Sequence, residues 1–201
     1  MTRFRPRQHG LAAVEFALLL PILLVLLFGM IDIARALQAN IIMVNIGREG
    51  ANLVARGNTD LETGAQDIIY ALMASAPPLD VNQRGMIYIT RVMGVVKNGA
   101  STSVVLDQYR WDDSARGLGF RVSGYNPTSR VYTCTKWVAG ACTVSATSRP
   151  VVQVLPGKLD DGEVVYVVET FYKYDMFMSA AATGTLGLPT IGPDLYSFTV
   201  F

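Results

Sequence analysis

"HGLAAVEFALLLPILLVLLFGMIDIARA", residues 9–36, sets the architecture of this chain, because Leu11 to Ile31 are 21 consecutive positions with Glu15 as their one ionisable side chain. A helix of that length spans roughly 31 Å, the thickness of a bilayer's hydrocarbon core. Arg3, Arg5 and Arg7 precede it, and no acid occurs among residues 1–10. This charge order predicts that the short N-terminus stays in the cytoplasm and the larger C-terminal part is exported. A secretory signal peptide has the same order, and Ala34-Arg35-Ala36 supplies an A-x-A cleavage site. Two features oppose that alternative. The apolar run exceeds the usual signal core of about 7–15 residues, and a carboxylate inside it resists insertion.

Outward from this run the chain reads as an ordinary globular domain. Of 17 basic and 16 acidic residues, three arginines precede residue 34, as do Glu15 and Asp32, so 14 of each charge remain beyond it. Such a neutral body lacks the clustered Lys and Arg that phosphate backbones require, and no nucleic-acid partner is expected. The boundaries read as a basic leader at 1–10, a transmembrane helix at 11–33, a helical extension at 34–56 and an exported α+β domain at 57–201.

The extension "LQANIIMVNIGREGANLVARG" carries Ile41, Val44, Leu53 and Val54 as an apolar stripe and offers Gly57 as a stop. One helix from 11 to 56 would be roughly 69 Å long, so its outer half is expected to pack on a sheet. Thr59-Asp60-Leu61-Glu62 has a capping-box pattern, and Leu61, Ala65, Ile68, Ile69, Leu72 and Met73 recur at helical spacing until Pro77 and Pro78. After residue 85 the period shifts toward two. "MIYITRVMGVV" and "TSVVLDQYRW" flank Lys97-Asn98-Gly99-Ala100, a hairpin signal. Further strand-like runs lie at 119–123, 130–138, 150–155 and 163–174. The expected fold class is α+β, a long N-terminal helix packed on an antiparallel sheet. The tail "TGTLGLPTIGPDLYSFTVF" either joins that sheet or forms an exposed apolar end.

Candidate chemistry is sparse. The single histidine, His9, lies in the leader, which excludes Ser-His-Asp, Cys-His and His-ligated metal sites from the rest of the chain. Nucleotide-loop, nucleophile-elbow and zinc-protease motifs are missing from the sequence. No enzymatic activity, cofactor or metal is therefore expected. The acidic stretch Asp160-Asp161-Gly162-Glu163 has too few oxygen ligands at defined offsets for a calcium loop and reads as an acidic turn entering a strand. Cys134 and Cys142 are the only cysteines. In an exported domain a disulfide between them is the default, and a loop that short gains roughly 2–3 kcal/mol from restricting the unfolded chain.

Glu15 needs a compensating cation, and a cut between Gly10 and Leu11 would create one in the new amine of Leu11, with Glu15 fifth in the shortened chain. A basic leader ending in Gly10, then Leu11-Ala12-Ala13-Val14-Glu15-Phe16, resembles the processing site of type IV prepilins and pseudopilins. The wider set, Val14-Glu15-Phe16-Ala17, Pro21, Gly29, Asp32, Ala34-Arg35 and Arg48-Glu49-Gly50-Ala51, resembles the TadE-like minor pseudopilins of Tad (Flp) pilus systems. A weaker likeness to the terminal strands of TadE-like and TadG-like proteins covers 155–177. The resemblance implies a pilin-like fold and processing at Gly10 and Leu11 by a prepilin peptidase. It assigns Glu15 and Phe16 to subunit assembly, and Asp32 and Arg35 to contacts with a partner. The implied partners are the major pilin, other minor pseudopilins and the inner-membrane assembly platform. The implied role is pilus priming, assembly or tip structure, from an inner membrane crossed once. Two other readings of the residues stay open: a bitopic, signal-anchored periplasmic binding protein that retains Met1, and a soluble exported domain released after Ala36.

Overall fold

The computed structural model describes residues 9–56, 61–97, 99–112, 124–152, 154–177 and 192–201. Three helices are described: α1 (His9–Arg56), α2 (Leu61–Ala74) and the short α3 (Val81–Arg84). The strands are β1 (Gly85–Lys97), β2 (Ala100–Arg110), β3 (Trp137–Val138), β4 (Ala141–Cys142), β5 (Val151–Val152), β6 (Val164–Lys173) and β7 (Asp194–Val200). The described strand pairs are all antiparallel, in the order β3-β4-β2-β1-β6-β7, with β5 pairing β2. The fold is α+β. The leader residues 1–8, Thr59 and Asp60 of the capping pattern, Asn98 of the hairpin and the strand-like run 119–123 lie outside the described residues.

The chain divides into two units. One comprises Met1–Gln38 with Asp175–Gly192, and the other Ala39–Tyr174 with Pro193–Phe201. In the first, α1 passes through Pro21 without a break in the helix. A proline there forgoes the bond to the carbonyl four residues back, which the remaining ladder tolerates.

In the second unit, β1 and β2 form the hairpin expected at 97–100, with Lys97 opposite Ala100 and a bulge between Arg91 and Val92. Gly99 takes a positive φ of 79°, the left-handed turn conformation that a glycine adopts without steric penalty. The C-terminal tail joins the sheet: β7 pairs β6 from Val167–Val200 to Lys173–Asp194. The runs 130–138 and 150–155 are not the full strands expected. Among the described residues of these runs, only Trp137–Val138 and Val151–Val152 pair as strands. Val131, Tyr132 and Val144 instead pack, with β7 Val200, on a buried cluster of Val92, Val105, Val152, Val154, Leu159, Val165 and Val167. The apolar residues there cover one face of the sheet rather than extending it, a choice that alternation alone does not encode.

The other face carries helices, and the buried stripe of α1 differs from the expected one. Ile41 is 60% exposed and Leu53 37%, whereas Ala39, Met43, Ile46, Ala51 and Val54 are buried. Small residues explain the difference. A Cβ at Gly47 would lie 3.0 Å from Thr199 Oγ1, and one at Gly50 would lie 2.8 Å from Leu72 Cδ1 and 3.4 Å from Val168 Cγ1. The backbone of α1 therefore approaches β6, β7 and α2 along its glycines, and the large apolar side chains beside that seam turn outward. Helix α2 buries Ala65, Ile69 and Leu72 as its spacing predicts. Its Gln66 spans to β2, donating to Arg110 O (2.7 Å) and accepting from Asp112 N (3.1 Å).

Candidate functional site

The first candidate region is the N-terminal part of α1. From Ala12 to Phe28 every residue is exposed, including Glu15 and Phe16, and Leu18 and Met30 are each 69% exposed. The most apolar 18-residue window has a mean hydropathy of 2.7, and among the described residues α1 is the one helix long and apolar enough to cross a membrane. A helix apolar all round cannot be satisfied by a core on one side, and it needs an apolar medium or other apolar helices around it. It fits a single-pass membrane anchor. Gly10 and Leu11 lie in the first helical turn. Glu15 is four residues beyond Leu11, on the same helical face.

Asp32, one turn past Phe28, is buried at 3% exposure. Its Oδ1 accepts the backbone N–H of Phe177 at 2.8 Å, while the Phe28 and Phe177 rings lie 5.7 Å apart and tilted by 40°. Arg35 is exposed. The two residues that the resemblance assigns to partner contacts have different surroundings: the Asp32 carboxylate is engaged by its own chain, and Arg35 is exposed. Phe177 escaped the sequence reading, which had only the short "DMF" after a strand to go on.

The acidic turn is accounted for by backbone amides. Asp161 Oδ1 accepts from Val96 N (2.9 Å) and Glu163 Oε2 from Asp160 N (2.8 Å), and Gly162 takes a φ of 80°. Cys134 and Cys142 are bonded, with Cα atoms 5.9 Å apart. The bridge ties the strand β4 back to residue 134, and Thr143 N donates to Lys136 O (2.9 Å) across the same small hairpin.

A buried polar cluster was also missed by the sequence reading. Glu169, in the middle of β6, has no exposed surface. Its carboxylate accepts from Ser129 Oγ, from Arg130 N at 2.9 Å and from Tyr196 Oη at 3.1 Å. Gln108 Nε2 extends the network to Thr90 Oγ1, Ser129 Oγ and Tyr132 O, at 3.0–3.1 Å. Tyr88 Oη donates to Pro127 O at 2.6 Å. The signal was present in "VVYVVETFYK", where a glutamate stands among strand residues, but its direction requires the register. These groups fasten residues 127–132 to the sheet.

Burial pushes the Tyr88 phenol up to about 12; Arg110 partly offsets this and Glu169 adds to it. Burial and then Glu169 raise Tyr196 as well. A raised phenol favours its neutral form in the folded state. The contribution to stability is therefore full below the ordinary value of 10 and is lost as pH rises through about 12. Phenolate absorbance of the folded chain is expected to show Tyr88 titrating near 12 and unfolding to become easier above pH 10. A Tyr88→Phe variant that left the folded-state titration unchanged would contradict this.

Comparison with known families bears on the N-terminal region. Residues 10–52 match the TadE-like protein family. No curated protein and no solved structure gives a match to this chain. The TadE-like segment runs from Gly10 through the exposed apolar span, Asp32 and Arg35 to the glycine seam of α1, ending just past Gly50. The sheet lies outside it. The segment associates the chain with Tad pilus systems, in keeping with the resemblance at Gly10, Glu15 and Phe16.

Proposed function

We propose that this protein is a minor pseudopilin of a Tad-type pilus, processed after Gly10 and active through assembly rather than catalysis. The observation that carries the reading is the TadE-like match beginning at Gly10, followed by an unbroken helix whose apolar residues are exposed around Glu15. A prepilin peptidase on the cytoplasmic side would release Leu11 as the new N-terminus. The Leu11 amine of one subunit would then meet the Glu15 carboxylate of a neighbour in low dielectric. That pairing offsets the cost of placing each group in the apolar layer and fixes axial register, because a slip of one turn leaves each unpaired. Phe16 and the apolar residues beyond it would pack against the helices of the major pilin and other minor pseudopilins, delivered by the inner-membrane platform. The N-terminus then faces the cytoplasm and the sheet domain the periplasm, with the mature chain serving pilus priming, assembly or the tip.

The test is the N-terminal sequence and intact mass of the protein from membranes of a host with its own prepilin peptidase. The expected chain begins at Leu11, and Gly10→Ala abolishes the cut. A chain beginning at Met1 would instead leave a signal-anchored binding protein, and one beginning at Leu37 a secreted domain. Either result overturns the proposal.

A further inference from the structure

Phe177 belongs to the chain leaving β6, yet it is held on the membrane helix, and this placement has a consequence for how the protein meets lipid. The Phe28 ring, 37% exposed, and the Phe177 ring, 52% exposed, face each other at 5.7 Å. Phe28 lies three residues before the end of the apolar run at Ile31, roughly 4.5 Å inside it along the helix axis. Asp32 follows at the first polar position, and its buried carboxylate receives the Phe177 amide. The backbone of residue 177 is thereby pinned at the polar boundary while its ring is directed to the level of Phe28. In the sequence, no charged side chain occurs between Asp175 and Asp194.

We infer that Phe177 is a second membrane contact, seated with Phe28 in the boundary layer between head groups and acyl chains, and that Asp32 positions it there. The inference rests on α1 being a membrane anchor, the reading given above. Its physical basis is continuity: the exposed Phe177 ring extends the exposed apolar surface of α1 at one end. Aromatic rings are favoured at that level of a bilayer, where apolar area is buried to a depth of about 5–10 Å. The Asp32 carboxylate, costly within hydrocarbon, is tolerated because it sits at the boundary with a backbone donor. Phe177 thus adds an interfacial foot beside the helix, limiting how far the helix tilts or slides along the bilayer normal.

The experiment places tryptophan reporters in the full chain, reconstituted in phosphatidylcholine vesicles with or without bromine on the upper acyl carbons. The parent chain, with Trp111 and Trp137, supplies the baseline. Phe28→Trp reports whether the anchor is inserted, and Phe177→Trp reports the proposed contact. The expected result is that both added emissions are blue-shifted and largely lost in brominated vesicles. Quenching at position 28 without quenching at 177 overturns the inference and leaves the anchor standing. Quenching at neither position overturns both. Asp32→Ala in the Phe177→Trp chain is expected to reduce quenching at 177, whereas Asp32→Asn, which keeps an acceptor oxygen, retains it. Equal quenching in all three overturns the positioning role of Asp32.

Discussion

Replacing Glu169 with leucine is expected to destabilise the folded sheet domain by about 3–5 kcal/mol, a large fraction of a typical domain's stability. The side chain accepts three donors, Ser129 Oγ, Arg130 N and Tyr196 Oη, in a site without solvent exposure. Leucine fills similar space but leaves those donors without an acceptor, and each buried unsatisfied group costs roughly 1–3 kcal/mol. Loss of this acceptor also loosens residues 127–132 from the sheet, uncovering apolar residues near Val131 and Tyr132. Glu169→Gln keeps one acceptor oxygen but turns an amide donor toward the remaining donors, so an intermediate loss is expected. Urea unfolding of the full chain in detergent, followed by near-ultraviolet circular dichroism, checks this through a lower midpoint at unchanged slope. A leucine variant with the parent's midpoint would show that the carboxylate does not hold this segment.

The second large effect is expected at Gly94, where alanine should cost about 2–4 kcal/mol through overpacking against backbone. A Cβ there would collide with the Asp160 carbonyl and approach Leu159 Cβ to 2.7 Å. The acidic turn lies against β1 because the pair is zipped at this point: Gly94 N donates to Glu163 O at 2.8 Å, and Gly162 N donates to Gly94 O at 2.9 Å. Displacing the turn breaks these bonds and the one from Val96 N to Asp161, and it lifts Leu159 out of the apolar cluster. Gly99→Ala is the control. Its φ of 79° is strained for alanine, but nothing lies within 4 Å of the added carbon, so about 1–2 kcal/mol is expected. Thermal unfolding of both variants distinguishes the two causes, and equal losses would contradict the collision at Gly94.

Local physics made much of the molecule legible before any tertiary information. A run apolar on every side, flanked by arginines and opening with Gly10 and Glu15, dictates a long helix and fits a single-pass membrane anchor, and the TadE-like match covers those same residues. The 97–100 hairpin follows from turn chemistry, and the α2 stripe from period alone. Elsewhere local pattern misdirected the reading. The residues Ile41 and Leu53 are large and apolar, so hydropathy ranked them above Gly47 and Gly50, although closest approach between helix and sheet is possible only where side chains are small. The runs 130–138 and 150–155 have strand composition, but among the described residues only Trp137–Val138 and Val151–Val152 of them pair as strands. Their apolar residues were needed as a lid over Val92, Val105 and Val167.

The sequence by itself determined that a long apolar helix precedes an antiparallel α+β body, because periodicity, turn residues and charge order are local properties of the chain. Tertiary structure alone decided that Glu169 points inward to three donors, that Cys142 stands in a two-residue strand, and that Phe177 meets Phe28 across Asp32. These facts depend on register and on contacts between residues up to 149 positions apart. Such pairings are selected by the summed packing of the whole fold, and no single window of sequence contains that sum.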